Sequence, residues 1–203
     1  GRSIEAAPAS TLGNVRRFLL LLYVMGIVGT AADLLLTGHF EDLSQTYQTL
    51  DMWSATASSR FEFDGEEVYV ETSVHPELDM LIVTLQSPLL RERRLGVDVK
   101  FPGVAAKLNP DPADWAHPDK HRTKVLQQSE RHISLERQLD ATRYSVDASA
   151  DTPLQISTIG PHHLRVLPRA AEDSMTLLVA FTQHKSKVIP TMLSLPPPTI
   201  FCT

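Results

Sequence analysis

Residues 53–90 read WSATASSRFEFDGEEVYVETSVHPELDMLIVTLQSPLL, and this stretch decides the fold. Asp64-Gly65 separates two alternating runs, and a two-residue type I′ turn needs φ > 0 at both central positions, which Asp-Gly tolerates. Such a short loop fixes the register, with Phe61 opposite Val68 and Ser59 opposite Val70. Phe61, Phe63, Val68 and Val70 then share one face, while Glu62, Glu67 and Glu71 share the other. His75-Pro76 breaks the pattern. The MLIVTL run at residues 80–85 is nearly continuous in apolar residues, as expected of a strand buried on both faces. The stretch reads as an antiparallel sheet with one apolar face, and such a sheet needs a second layer to cover it.

Downstream the period stays at two. Leu95, Val97, Val99 and Phe101 alternate with Gly96, Asp98 and Lys100. Further short runs follow at residues 132–139, 143–148, 154–159, 163–167 and 175–182, with Asp140-Ala141-Thr142 as the turn between the first two. Residues 102–123 interrupt them with prolines, aspartates, Trp115, His117 and His121, and read as a long loop. Short alternating runs separated by turn residues, with no strand-helix-strand rhythm, predict an all-β fold. The expectation is an antiparallel β-sandwich of about eight or nine strands over residues 50–185, followed by a proline-rich tail over residues 186–203.

Ahead of the sheet the texture differs. Residues 1–14 are small and polar and predict a disordered lead. Arg16-Arg17 then precedes an apolar run that opens at Phe18, meets one charge at Asp33 and closes at Leu36. Residues 15–38 therefore predict one apolar helix. Three roles fit it. As a secretory signal, Arg16-Arg17 is the basic end and Thr30-Ala31-Ala32 supplies small residues for cleavage. As an anchor, the run contacts a membrane through residues 18–36, although a crossing needs roughly 20 apolar residues and a charge at Asp33 is costly inside one. As a core helix, its all-round apolar surface is simply buried. The first two roles put the remainder in the cell envelope or outside the cell.

Composition narrows the chemistry. A net charge of −5 over 203 residues, with basic residues bunched only at residues 91–94 and 117–124, argues against a nucleic-acid partner. One cysteine, Cys202, permits neither an internal disulfide nor a cysteine zinc site. No nucleophile elbow, P-loop, dinucleotide fingerprint or zinc-protease motif occurs, so no catalytic residue, metal or cofactor is expected. The carboxylates at Asp64, Glu66 and Glu67 sit on a hairpin tip, where solvated turn residues are the ordinary explanation. The densest cluster of functional side chains is DWAHPDKHRT, residues 114–123. Trp115 offers an aromatic face for a sugar or a neighbouring domain, and His117, His121 and Arg122 offer hydrogen bonds. The plain alternative is that Trp115 plugs the end of the sandwich and the histidines solvate the loop. His162-His163 reads as polar loop leading into a strand.

Taken in order, LDMW (residues 50–53), residues 59–90, LGVDVKFP (95–102), DWAHPDKHRT (114–123) and LDATRYSV (139–146) resemble the N-terminal β-sandwich region of six-hairpin glycoside hydrolases, relatives of families 65 and 95. The resemblance covers residues 50–181 and rests on the order of strands and loops rather than on a catalytic signature. It implies an accessory sandwich that packs against a helical (α/α) catalytic domain and lends loop residues to the edge of its sugar site. It also implies that the catalytic acids lie on the helical part, so that this chain is non-catalytic alone. In that setting Trp115, His117, His121 and Arg122 lie nearest carbohydrate or the domain interface. The apolar N-terminal run and the proline-rich end depart from the family pattern. An alternative consistent with residues 18–36 is a membrane-anchored extracytoplasmic β domain serving as a sensor or assembly module.

Overall fold

A computed structural model describes residues 31–36, 43–104 and 113–182. In chain order the strands are β1 (Ala31–Leu36), β2 (Leu43–Asp51), β3 (Thr56–Phe63), β4 (Glu66–Val74), β5 (Met80–Gln86), β6 (Leu95–Lys100), β7 (Gly103–Val104) and β8 (Ala113–Asp114). They continue as β9 (His121–Gln128), β10 (His132–Leu139), β11 (Thr142–Ala150), β12 (Leu154–Gly160), β13 (His163–Pro168) and β14 (Ser174–Thr182). One short helix, α1 (Pro88–Arg91), and a 3-10 turn at Pro118–Lys120 interrupt them.

The strands pair antiparallel into an eight-stranded sheet in the order β2-β3-β4-β5-β14-β11-β10-β9 and a four-stranded sheet in the order β1-β6-β13-β12. A two-stranded piece, β7-β8, lies between β6 and β9 in sequence. A single apolar cluster joins the two sheets: Phe61, Phe63, Val70, Leu85 and Leu177 from the large one meet Leu95, Val97, Val99, Leu154 and Val166 from the small one. Burying each such side chain contributes about 1.5–3 kcal/mol, which makes this interface the source of the fold's stability.

The β3-β4 hairpin matches its reading from sequence. Phe61 pairs with Val68 and Ser59 with Val70, and Asp64 and Gly65 both have positive φ. All four predicted inward residues are at most 4 % exposed. Strand β5 is covered on both sides. Val83 and Leu85 belong to the main cluster, while Met80 packs with Leu178 and Ala180 on the opposite face. α1 is opened by Ser87, whose hydroxyl accepts from the Leu89 amide, and it drives Leu89 and Leu90 into the core.

Three expectations need correction. Residues 31–36 are not part of a helix: they form β1, register-paired with β6 from Ala31 opposite Lys100 to Leu36 opposite Leu95. The physical reason is that β6 offers an open ladder on the side away from β13, and an apolar segment there satisfies its backbone from a neighbour instead of from itself. The rest of the 15–38 helix, the 1–14 lead and the 186–203 tail lie outside the described residues. Second, residues 102–123 are not all loop, because β7 and β8 lie within them and β9 begins at His121. Third, the sandwich has more strands than eight or nine, since β2 and β9 extend the large sheet at its two edges. β9 is mostly exposed and its bulge opposite Ser134 and Leu135 disturbs the alternation, so its polar sequence carries little period-two signal.

Candidate functional site

One end of the sandwich gathers the starts of β9 and β13, the end of β6 and the segment holding β8. A cavity of about 150 Å³ opens there, lined by Lys100, Phe101, Asp114, Trp115, Pro118, His121, Pro161, His162 and His163. Trp115 is half exposed on its rim, at 48 %.

Asp114 organises the rim. Its Oδ1 accepts from the Ala116 amide at 3.1 Å, closing a tight turn. Its two oxygens lie 2.9 and 2.8 Å from His117 Nδ1, with Lys120 Nζ 3.8 Å from Oδ2. The hydrogen bond from His117 holds the carboxyl below its ordinary range, assisted by the Ala116 amide and by Lys120 and opposed by desolvation. His117 is turned to Asp114. Pro118 then starts the 3-10 turn that delivers His121 to the first position of β9.

Behind the cavity sits Arg137, fully buried at 0 % exposure. The two hydrogens of its Nη1 are shared among His121 Nδ1 at 3.0 Å, the Arg122 carbonyl at 3.2 Å and Thr123 Oγ1 at 2.7 Å. Its Nη2 donates to the Pro102 carbonyl at 3.3 Å, and the guanidinium lies 4.8 Å from the centre of the Phe101 ring. An arginine has no acceptor, so His121 Nδ1 must be the accepting nitrogen and the proton of a neutral His121 sits on Nε2. Thr123, accepting from Arg137, is left to donate to His162 Nδ1 at 2.7 Å; His162 Nε2–H then donates to the Pro118 carbonyl at 2.8 Å. The whole relay runs in one direction, from Arg137 through Thr123 to His162.

His121 and His162 lie against each other with ring centres 3.9 Å apart and ring planes tilted by 36°. Burial, then His162, then Arg137 push the His121 pKa down from 6.5 to about 4, so the ring is neutral at physiological pH. His162 occupies a left-handed backbone conformation, φ 58°, directly after Pro161. A proline followed by a left-handed residue is the pattern of a type II turn, a place normally given to glycine. The backbone strain is set against the two side-chain bonds and the bond from the Phe101 amide to the His162 carbonyl at 3.0 Å.

The neighbouring His163 belongs to a second polar group, on the small sheet. Asp98, 5 % exposed, receives both Nε and Nη2 of Arg165 at 2.8 and 2.9 Å. His163 Nε2 lies 3.0 Å from Asp98 Oδ2, outside good hydrogen-bond angles. Burial raises the Asp98 carboxyl, but Arg165 and His163 outweigh it and hold it low.

Of the four candidates from sequence, the structure places Trp115 and His121 on the cavity wall, His117 on the rim facing Asp114, and Arg122 on exposed strand β9, where it contributes its carbonyl to Arg137. The reading missed Arg137, Thr123, His162 and the organising role of Asp114. A signal existed for Arg137. In HISLERQL the inward positions are Ile133, Leu135 and Arg137, and a charged side chain at an inward position marks a buried polar centre. No metal-ligand cluster occurs among the described residues.

No family model matches the chain, and no curated protein matches it. Among solved structures it is similar to a chain described as a kojibiose phosphorylase from human microbiome, with a TM-score of 0.45 and 10 % identity over 71 % of this chain. The match covers 20 % of that chain, so this protein spans about a fifth of its length.

Proposed function

We propose that this protein is a non-catalytic accessory β-sandwich of a carbohydrate-active enzyme, packing with its cavity end toward a helical catalytic domain and shaping the edge of that domain's sugar site. The ordered segments quoted above supply the enzyme class. The observation that carries the accessory role is that Asp114 is the single carboxylate on the cavity wall among the described residues. Glycoside hydrolysis requires a carboxylic acid held protonated near neutral pH beside a second carboxylate. Asp114 faces no second carboxyl across the cavity, and its hydrogen bond from His117 keeps it ionised.

The compartment we propose is the cell envelope or exterior. With Ala31–Leu36 paired in a sheet, the apolar residues left ahead of it, 18–30, fall short of the roughly 20 that a crossing needs. That counts against an anchor and favours the accessory reading over a membrane-anchored sensor, while Ala31 and Ala32, the small residues of the candidate cleavage site, are themselves paired in β1. No helix among the described residues is long and apolar enough to cross a membrane.

The test is direct. The full chain, incubated with aryl glycosides and with disaccharides in the presence and absence of phosphate, is expected to release no product above the buffer rate. Turnover that disappears in Asp114→Asn would overturn the accessory role.

A further inference from the structure

The cavity at the sandwich end combines three kinds of surface. Trp115, Pro118 and Pro161 give it apolar walls, Asp114 gives an ionised acceptor, and His121 gives a donor. His121 is 9 % exposed, and its Nε2–H has no hydrogen-bond partner among the described residues. The proton is fixed on that nitrogen because Arg137 occupies the other one. Lys100 and Asp114 stand as opposite charges on the wall, and His121 is neutral. A phosphate or carboxylate would meet the Asp114 carboxylate across a narrow space. At about 150 Å³ the cavity is well below the roughly 300–1,000 Å³ of sites for drug-sized ligands, which limits an occupant to a single ring.

We propose that this cavity is a subsite for one neutral sugar ring, with Trp115 against its C–H face, Asp114 accepting from one hydroxyl and His121 Nε2 donating to another. The choice of a saccharide rests on the accessory reading above; ring size, neutrality and the contacting groups rest on the cavity. Arg137 is a positioning residue here. It touches no ligand, and it presents His121 to the cavity as a donor of fixed tautomer. Gly103 is the close-packed support: a Cβ there would lie 3.0 Å from His121 Cδ2 and 3.4 Å from the Asp114 carbonyl, so the two contacting residues are braced against the same backbone point.

Trp53 and Trp115 are the two tryptophans, so the full chain carrying Trp53→Phe reports Trp115 alone. Glucose, galactose, mannose and their methyl glycosides are titrated against it, with sodium phosphate as the anionic probe, and saturation-transfer NMR on the same sugars gives a readout independent of fluorescence. We expect a saturable change in Trp115 emission with at least one neutral sugar in the millimolar range, at least fivefold weaker in His121→Asn. Saturation transfer is expected to vanish in Trp115→Ala, a substitution at an exposed rim position that leaves the fold intact. Silence with every neutral sugar in both readouts overturns the subsite, as does a response to phosphate that neutral sugars do not displace. Either result leaves the accessory role standing, whereas turnover by the chain alone would overturn that role whatever the cavity binds.

Discussion

His121→Asn tests the buried polar centre through pH. The asparagine Oδ1 replaces Nδ1 as acceptor for Arg137 and does not titrate. In the native protein the folded His121 pKa is about 4 against an ordinary 6.5. As pH falls from 6.5 toward 4, the unfolded chain takes up a proton that the folded chain refuses, so the unfolded state binds more protons and stability drops across this window. The slope is at most about 1.4 kcal/mol per pH unit, and over the interval from 6.5 to about 4 it amounts to roughly 3 kcal/mol. For a chain of this size that is a fall in Tm of roughly 6–12 °C. The assay is urea unfolding of both proteins at several pH values between about 7 and 4.5. The wild type should lose roughly 2 kcal/mol more than the variant over that range, and the histidines that do not touch His121 cancel in the comparison. Asp98 and Asp114 do not intrude. Their lowered pKa values mean that their contributions are present above 3.8 and are lost only as pH falls below it. Parallel stability curves for the two proteins between pH 7 and 4.5 would refute the argument, as would an NMR titration placing His121 at 6 or above.

Arg165→Met leaves Asp98 buried without its bidentate partner and is expected to cost about 3–5 kcal/mol in urea unfolding, most of it recovered by adding Asp98→Leu. A double variant no more stable than the single one would contradict this. Gly96→Ala places a Cβ 2.6 Å from the Val166 carbonyl and 2.6 Å from Leu167 Cδ2. Since a backbone atom of β13 cannot step aside cheaply, the thermal midpoint should fall by the equivalent of about 1–3 kcal/mol. His162→Gly and His162→Ala both lose the bonds to Thr123 and Pro118, but only glycine also relieves the left-handed backbone. The alanine variant should therefore be the less stable of the two by about 1 kcal/mol, and equal midpoints would show that the strain is absent.

What the sequence discloses follows from where the physics is local. The β3-β4 hairpin is local: a two-residue turn sets the register, and the alternation sets the buried face, so Phe61 opposite Val68 is legible from the residues between them. β1 is not local. Its partner is roughly sixty to seventy residues away in β6, and an apolar segment without polar alternation looks alike as a buried strand or a helix. The site divides the same way. DWAHPDKHRT announces itself by residue type, and its turn at Asp114 and Pro118 is built from neighbours. The cluster behind it is assembled across β9, β10 and the β12-β13 turn, and only register brings Arg137 beside Thr123 and His162 close to His121. His162 was also concealed by its setting, because a left-handed histidine after proline carries no mark in the sequence that a solvated loop histidine lacks.

The pairing of strands has one topological consequence for how this domain is tethered. β1 begins at Ala31 opposite Lys100, on the cavity wall, and β14 ends at Thr182, opposite Ser145, on the side of the large sheet where β9 starts. The chain thus enters its first described strand and leaves its last one at the same end, the end that bears the cavity. Whatever is covalently joined at either side is leashed to that mouth rather than to the far pole of the sandwich. Such a leash confines a linked body to the neighbourhood of Trp115 at an effective concentration set by linker length, in the millimolar range for short flexible linkers. A modest contact with such a linked body is then sufficient, since it does not have to capture that body from free solution.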